Sequence, residues 1–187
     1  CDWSSDVCSS DLMKIFYTGV GNRDTPHEYL EKMTALASLL EKEGCILRSG
    51  GAEGADTAFE NGVRSLYNKE IYLPWTFFNN KVHGYVTPLD LINCIDEILS
   101  RVHPNFSNLR ESTLKLHRRN VLQILGQDLA TPSHFVLCYT RDGAETFTSF
   151  ETGGTGTVIR LANHYNIPVF NLRNKNWADR FKEFMKG

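Results

Sequence analysis

The chain has 187 residues, of which 41% are hydrophobic and 22% charged, with a formal net charge of −2 at pH 7. That length suits one domain with a sizeable core, and no apolar run approaches the length of a membrane span. The near-neutral balance disfavours a broad nucleic-acid footprint, while leaving room for a local basic strip of Arg110, Lys115, Arg118 and Arg119.

The first twelve residues, CDWSSDVCSSDL, lack the basic start and apolar stretch of a secretory signal. They are expected to be non-native sequence of the adapter read-through kind, or a disordered extension. Met13 then reads as the natural start, and residues 13–187 as a single domain. Without Asp2, Asp6 and Asp11 the net charge moves from −2 to +1; without Cys1 and Cys8, three cysteines remain. Cys45, Cys94 and Cys138 each sit in or beside an apolar run, with no CxxC pair and no metal-ligand spacing. They are expected to be small core residues of a reduced cytoplasmic protein that holds no metal.

From Lys14 onward, short apolar runs alternate with helical patterns, which predicts an α/β fold around a mostly parallel sheet of about five strands. Lys14–Gly19 is the first strand. Thr25, Pro26 and Glu28 then form a capping box for a helix carrying Tyr29, Leu30, Met33, Leu36, Ala37 and Leu40, closed by Gly44. Cys45–Ser49 is the second strand, followed by a helix with Ala55, Ala58, Phe59, Gly62 and Leu66 on one face. Glu70–Trp75 is the third strand. The segment 76–108 is irregular, with a short helical pattern around Leu89–Leu99. Leu114, His117, Val121, Ile124 and Leu125 mark a longer helix ending at Gly126. Ser133–Thr140 is continuously apolar in its middle and so central in the sheet. A helix opens at the glycine run near residue 153, Pro168–Leu172 is the fifth strand, and Trp177–Met185 closes the chain.

Three strand-to-helix junctions are rich in glycine: Gly19-Val20-Gly21, Gly50-Gly51-Ala52-Glu53-Gly54, and Gly153-Gly154-Thr155-Gly156. In a parallel sheet they gather at the carboxyl edge, where open α/β sheets bind ligands. Glycine lets a ligand approach the main chain, and the following helix offers free N–H groups to a phosphate. One helix end contributes only about 0.3–1 kcal/mol at an exposed site, so two converging on one ligand matter more than either alone. The GxGxxG spacing is absent, which disfavours ordinary NAD or FAD binding, and no Gly-Lys-Ser/Thr of a P-loop occurs. No cofactor is implied.

The string Arg48-Ser49-Gly50-Gly51-Ala52-Glu53-Gly54-Ala55-Asp56, with Thr152-Gly153-Gly154-Thr155-Gly156-Thr157 after it, resembles the SLOG superfamily. That group includes the Rossmann-like domain of DNA-processing protein A, the LOG phosphoribohydrolases and nucleotide-sensing domains of bacterial immune systems. The pattern is most similar to small phage and bacterial members, through Gly19-Val20-Gly21-Asn22-Arg23-Asp24-Thr25-Pro26 and Arg119-Asn120 as well. The resemblance implies a Rossmann-like fold, a nucleotide-type ligand and frequent self-association into homo-oligomers. It also implies a departure. LOG hydrolases carry a glutamate after the second glycine motif, and here Arg160 stands in its place, with Thr152 where they have proline. An arginine cannot act as a carboxylate base, so holding a nucleotide is favoured over cleaving it.

The candidate ligand-binding residues are therefore Gly19, Gly21, Arg23, Arg48, Ser49, Gly50, Gly51, Ala52, Gly54, Asp56, Trp75, Arg119 and Thr152 to Thr157. Arg23 and Arg48 are suited to pair with phosphate, or else with Glu53, Asp56 or Asp24. Asp56 accepts a ribose hydroxyl or caps its helix. Trp75, Phe77 and Phe78 stack on a base or pack the core. Glu151 and Glu53 are the remaining carboxylates for catalysis or sugar recognition. His117, sharing a helix face with Leu114 and Val121, reads as a core-edge histidine, and His103 has no assigned role. The leading expectation is a cytoplasmic protein that binds a phosphate-bearing, nucleotide-derived molecule of the ADP-ribose or cyclic-nucleotide type, sequestering a host immune signal if the gene is viral. The alternatives are a nucleoside-monophosphate phosphoribohydrolase and a single-stranded DNA binder of the DNA-processing protein A kind.

Overall fold

The computed structural model describes residues 14–187, and the expectation for segment 1–12 lies outside them. The chain runs β1 (Phe16–Gly21), α1 (His27–Lys42), β2 (Ile46–Ser49), α2 (Ala55–Gly62), β3 (Lys69–Leu73), β4 (Tyr85–Val86), α3 (Ile92–Val102), α4 (Glu111–Leu125), β5 (Phe135–Tyr139), α5 (Thr155–His164), β6 (Val169–Asn171) and α6 (Trp177–Phe184). The strands form one sheet in the order β4-β3-β2-β1-β5-β6, and every pair is parallel. This is a Rossmann-like α/β architecture. Its sixth strand, β4, goes beyond the five expected from the sequence. It has two residues, Tyr85 and Val86, both exposed, so it carries no readable alternation.

The right-handed crossover rule fixes where the helices go. From β1 to β3 the chain steps one way across the sheet, so α1 and α2 share a face; from β4 to β6 it steps back, so α3, α4 and α5 cover the other. Side chains follow suit. Phe135 and Leu137 of β5 pack with Met33, Ala37, Phe59 and Phe181, while Val136 and Cys138 pack with Leu99, Val121, Leu122, Val158 and Ile159. A strand covered on both faces must be apolar at every position, which is why β5 reads as an unbroken hydrophobic run.

Three local expectations need correction. Thr25 does not cap α1: its hydroxyl donates to Asn22 O at 2.6 Å, closing the turn after β1, and α1 starts at His27 without a side-chain cap. Leu66 is not on α2. Gly62 packs against Thr34 O of α1, α2 stops there, and Leu66 begins a separate turn with its side chain exposed. Cys45 and Cys138 are buried as expected, but Cys94 is exposed on α3.

The consequence for function is the switch point. Chain direction reverses between β1 and β5, which pair from Tyr17 with Phe135 to Gly21 with Tyr139. Their following loops therefore diverge and leave a crevice at the carboxyl edge of the sheet.

Candidate ligand cleft

A cleft of about 660 Å³ opens at that edge, within the range of small-molecule sites. Its walls come from four places: the turn after β1 with Asn22 and Arg23, the loop ahead of α5, the middle of α4, and the His103-Pro104-Asn105 turn after α3.

The loop before α5 is built around Asp142. Its carboxylate accepts the hydroxyls of Ser149, at 2.7 Å, and of Thr152. Burial alone would raise the Asp142 carboxyl, but the hydroxyls of Thr152, Ser149 and Thr140 and the Ala144 N–H hold it down at about 2. A permanently ionised carboxylate so gathers the segment from Ser149 to Thr152 and presents Gly153 and Gly154 to solvent. Gly153 needs its glycine, since its φ is +63°. Helix α5 then begins with no side-chain cap, and its first turn lines the cleft. The Gly156 and Thr157 N–H groups close this turn on Gly153 O and Gly154 O, at 3.0 and 3.4 Å, and the partial positive charge of the helix start suits an anion.

The glycine loop after β2 is arranged otherwise. Asp56 of α2 is buried, and its carboxylate receives the Ala52 N–H at 3.3 Å together with the amides of Gly50 and Gly21. An internal carboxylate thus occupies the amide cradle that a phosphate was expected to fill. Burial pushes Asp56 up, against the opposing pull of Arg119 and those amides. Gly50 is wedged so tightly that a Cβ there would lie 2.7 Å from both Arg119 Cζ and Asp56 Oδ2. Of this loop, only Ala52 lines the cleft.

The floor is a polar stripe on α4. His117, Asn120 and Gln123 recur every three residues, with Arg118 and Arg119 between the first two, and His117, Arg119, Asn120 and Gln123 all line the cleft while buried. Arg119 Nη1 donates to Gly50 O at 2.7 Å, and Asn120 Nδ2 donates to Gly154 O at 3.4 Å. The carboxamide of Gln123 has no partner on either atom, nor has Nε of Arg119 or Nε of Arg160. Unpaired buried polar groups are uncommon and costly. The side chains that carry these four atoms, Gln123, Arg119 and Arg160, all belong to residues that line the cleft. Arg160 reaches back along α5 to the hydroxyls of Thr148, at 2.6 Å, and Thr157, at 3.1 Å, so its guanidinium lies over the helix's first turn.

His117 is the second finding on α4. Its Nδ1 lies 2.9 Å from Thr157 Oγ1, and its ring meets His103 with centroids 4.5 Å apart. Burial first, then the neighbouring charges of His103, Arg160 and Arg119, push its imidazole down from 6.5 to about 4. His103 is pushed down as well, by burial and by Arg160.

Of the residues singled out in the sequence, Gly21, Arg23, Ala52, Asp56, Arg119, Gly153, Gly154, Thr155 and Thr157 line the cleft. Gly19, Gly51 and Gly54 serve packing: a Cβ at Gly19 would strike Phe59, one at Gly51 Leu73 and Lys81, and one at Gly54 the carbonyl of Arg23. Ser49 donates its hydroxyl to Gly19 O, Thr152 to Asp142, and Gly156 lies against Arg160 and Thr148. Arg48 is corrected outright: it points to the other end of β2, stacked on Phe16 and bonded to Glu70 at 2.8 Å and to Thr131 O. Trp75 lies outside the cleft, edge-on to Phe78. Glu151 is exposed outside the cleft, and Glu53 faces a separate groove between α1 and α2. The cleft's own carboxylates, Asp24 and Asp56, are both engaged, Asp24 by Arg141. The expected basic strip is also dismantled: Arg118 is bound to Asp96 and Glu111 and Arg119 is buried, leaving Arg110 and Lys115 exposed.

Among the described residues, no group of three or more His, Cys, Asp or Glu is placed to hold a metal ion, and no helix is long and apolar enough to cross a membrane.

No protein-family model and no curated protein matches this chain. A solved structure of DNA processing protein A from Helicobacter pylori, a protein that binds single-stranded DNA, is similar at 19% identity and a TM-score of 0.48, covering 92% of this chain and 74% of that one.

Proposed function

We propose that the cleft binds a phosphate-bearing, nucleotide-type molecule, with a phosphate seated at the first turn of α5. What carries this reading is the set of buried, unpartnered polar atoms on residues that line the cleft: Gln123 Nε2 and Oε1, Arg119 Nε and Arg160 Nε. Three of these four are donors, and a phosphate supplies acceptors. Arg160 adds fixed positive charge over an uncapped helix start, and Arg23 adds more at the rim. Asp56 already satisfies the first glycine loop, so the phosphate belongs to the second. Among the described residues lining the cleft, both carboxylates, Asp24 and Asp56, are already engaged, which favours holding the ligand over cleaving it.

Isothermal titration with nucleoside 5′-phosphates, nucleoside diphosphates, ADP-ribose and cyclic nucleotides tests this, followed by chromatography of the recovered ligand. Micromolar binding with intact recovery is expected. Recovery of free base and ribose phosphate would establish the hydrolase alternative instead.

A second reading, single-stranded DNA, is favoured by one observation. Phe147 and Phe150 are fully exposed on the loop beside the cleft, and exposed aromatics are the stacking platforms of single-strand binders. Titration with oligothymidylate at several salt concentrations distinguishes it, because phosphate contacts along a strand give a steep salt dependence.

A further inference from the structure

The two histidines lining the cleft are chemically alike. His103 Nδ1 accepts the Asn105 N–H at 3.3 Å. His117 Nδ1 faces the Thr157 hydroxyl, whose oxygen also accepts from Arg160 Nη2. Nδ1 is the acceptor on hand for the Thr157 proton. In each neutral ring the proton then sits on Nε2, which is the nitrogen left for a ligand. Arg160 Nε–H is a third donor, buried and without a partner.

The charged and titratable groups facing His117 are Arg119 on its own helix, His103 on the turn after α3, and Arg160 on α5. None is an acid. The three side chains line one cleft beside the start of α5, and none of their hydrogen bonds among the described residues uses His103 Nε2, His117 Nε2 or Arg160 Nε.

We infer that His103, His117 and Arg160 form a terminal-phosphate subsite, so that the cleft selects a phosphomonoester over a phosphodiester. This rests on the nucleotide reading above and names the chemical class within it. A terminal phosphate presents three unesterified oxygens and between one and a half and two negative charges at pH 7. Three donors match three oxygens. A diester offers two such oxygens and one charge, and its second ester carbon leaves one buried donor unpaired. An unpaired buried donor lowers affinity about tenfold to a hundredfold. Both rings donate while neutral, so the selection does not depend on acid conditions. None of the three residues belongs to the glycine loop before α5, whose main-chain amides do not distinguish the two kinds of ester.

The test is isothermal titration of the full chain with the four ribonucleoside 5′-monophosphates, their 5′-methyl esters, and oligothymidylate with and without a 5′-phosphate. At least one monophosphate is expected to bind ten times tighter than its methyl ester, and the 5′-phosphorylated strand tighter than the unphosphorylated one. His103→Ala, at a half-exposed position, is expected to bring the ester ratio below three with the melting temperature kept. His117→Asn does the same if it folds. Equal affinity for monophosphate and methyl ester overturns the subsite and leaves nucleotide binding standing. Absence of binding by every nucleotide overturns both.

Discussion

Thr157 Oγ1 lies 2.9 Å from His117 Nδ1, and this bond ties the first turn of α5 to the middle of α4 across the cleft. Both residues are buried. Replacing Thr157 by Val keeps the shape and removes the hydroxyl. It leaves His117 Nδ1 unpaired and Arg160 Nη2 without an acceptor. Such a loss costs about 1–3 kcal/mol. Urea denaturation is expected to show a lower midpoint at unchanged slope; an unchanged midpoint would mean the bond contributes nothing.

Stability of the ligand-free protein should depend on pH through His117. Its folded-state value of about 4 lies below the ordinary 6.5, so between these values the unfolded chain binds more protons than the folded one. The contribution is complete above pH 6.5 and is lost as pH falls toward 4. At pH 5 the loss is about 2 kcal/mol relative to pH 7.5. Thermal melts from pH 7.5 to 5 should show this decline, and His117→Asn should flatten it. A wild-type profile as flat as the variant's would show that the imidazole titrates normally.

Arg48 and Arg160 separate structure from ligand binding. Arg48 is 2% exposed and ion-paired with the part-buried Glu70, so Arg48→Ala removes the partner of that acid and of Thr131 O and costs about 1–3 kcal/mol. Folded Arg48→Ala protein keeps its affinity for nucleotide. Denaturation and titration of the same sample check both halves, and a Arg48→Ala protein of normal stability and weakened affinity would reverse the assignment.

Asp142→Ala removes the acceptor that gathers Ser149 and Thr152. The loop from 147 to 154 is expected to exchange its amide hydrogens faster while the strands keep their protection, and affinity falls because the amides before α5 are no longer held in place. Unchanged exchange in that loop would show that Asp142 does not organise it.

Much of the fold was legible because its signals are local. Glycine at strand ends, the unbroken apolar run of β5 and the helical spacing of α1 each have one cause. The sixth strand was not, since Tyr85 and Val86 are held by pairing with β3 rather than by any pattern of their own. Within the site, the glycine loops gave the right edge of the sheet but could not say which loop was free. Asp56 fills the first from four residues beyond Ala52, a choice made by tertiary packing. Arg48 misled because proximity to a glycine loop in sequence says nothing about which way a strand residue points. His117, Asn120 and Gln123 did carry a signal. Gln123 stands alone between the apolar pairs Val121-Leu122 and Ile124-Leu125, three residues after Asn120 and six after His117, and a polar residue so placed on a buried helix belongs to a polar stripe.

The proposed site seats a phosphate at the start of α5, under Arg160. Titration of wild type and Arg160→Gln with the same nucleoside 5′-phosphates tests it most directly. The dissociation constant of Arg160→Gln is expected to rise tenfold to a hundredfold, the worth of one charge-assisted hydrogen bond, with the melting temperature within a few degrees. Identical affinity of the two proteins, or no binding to either, would contradict it.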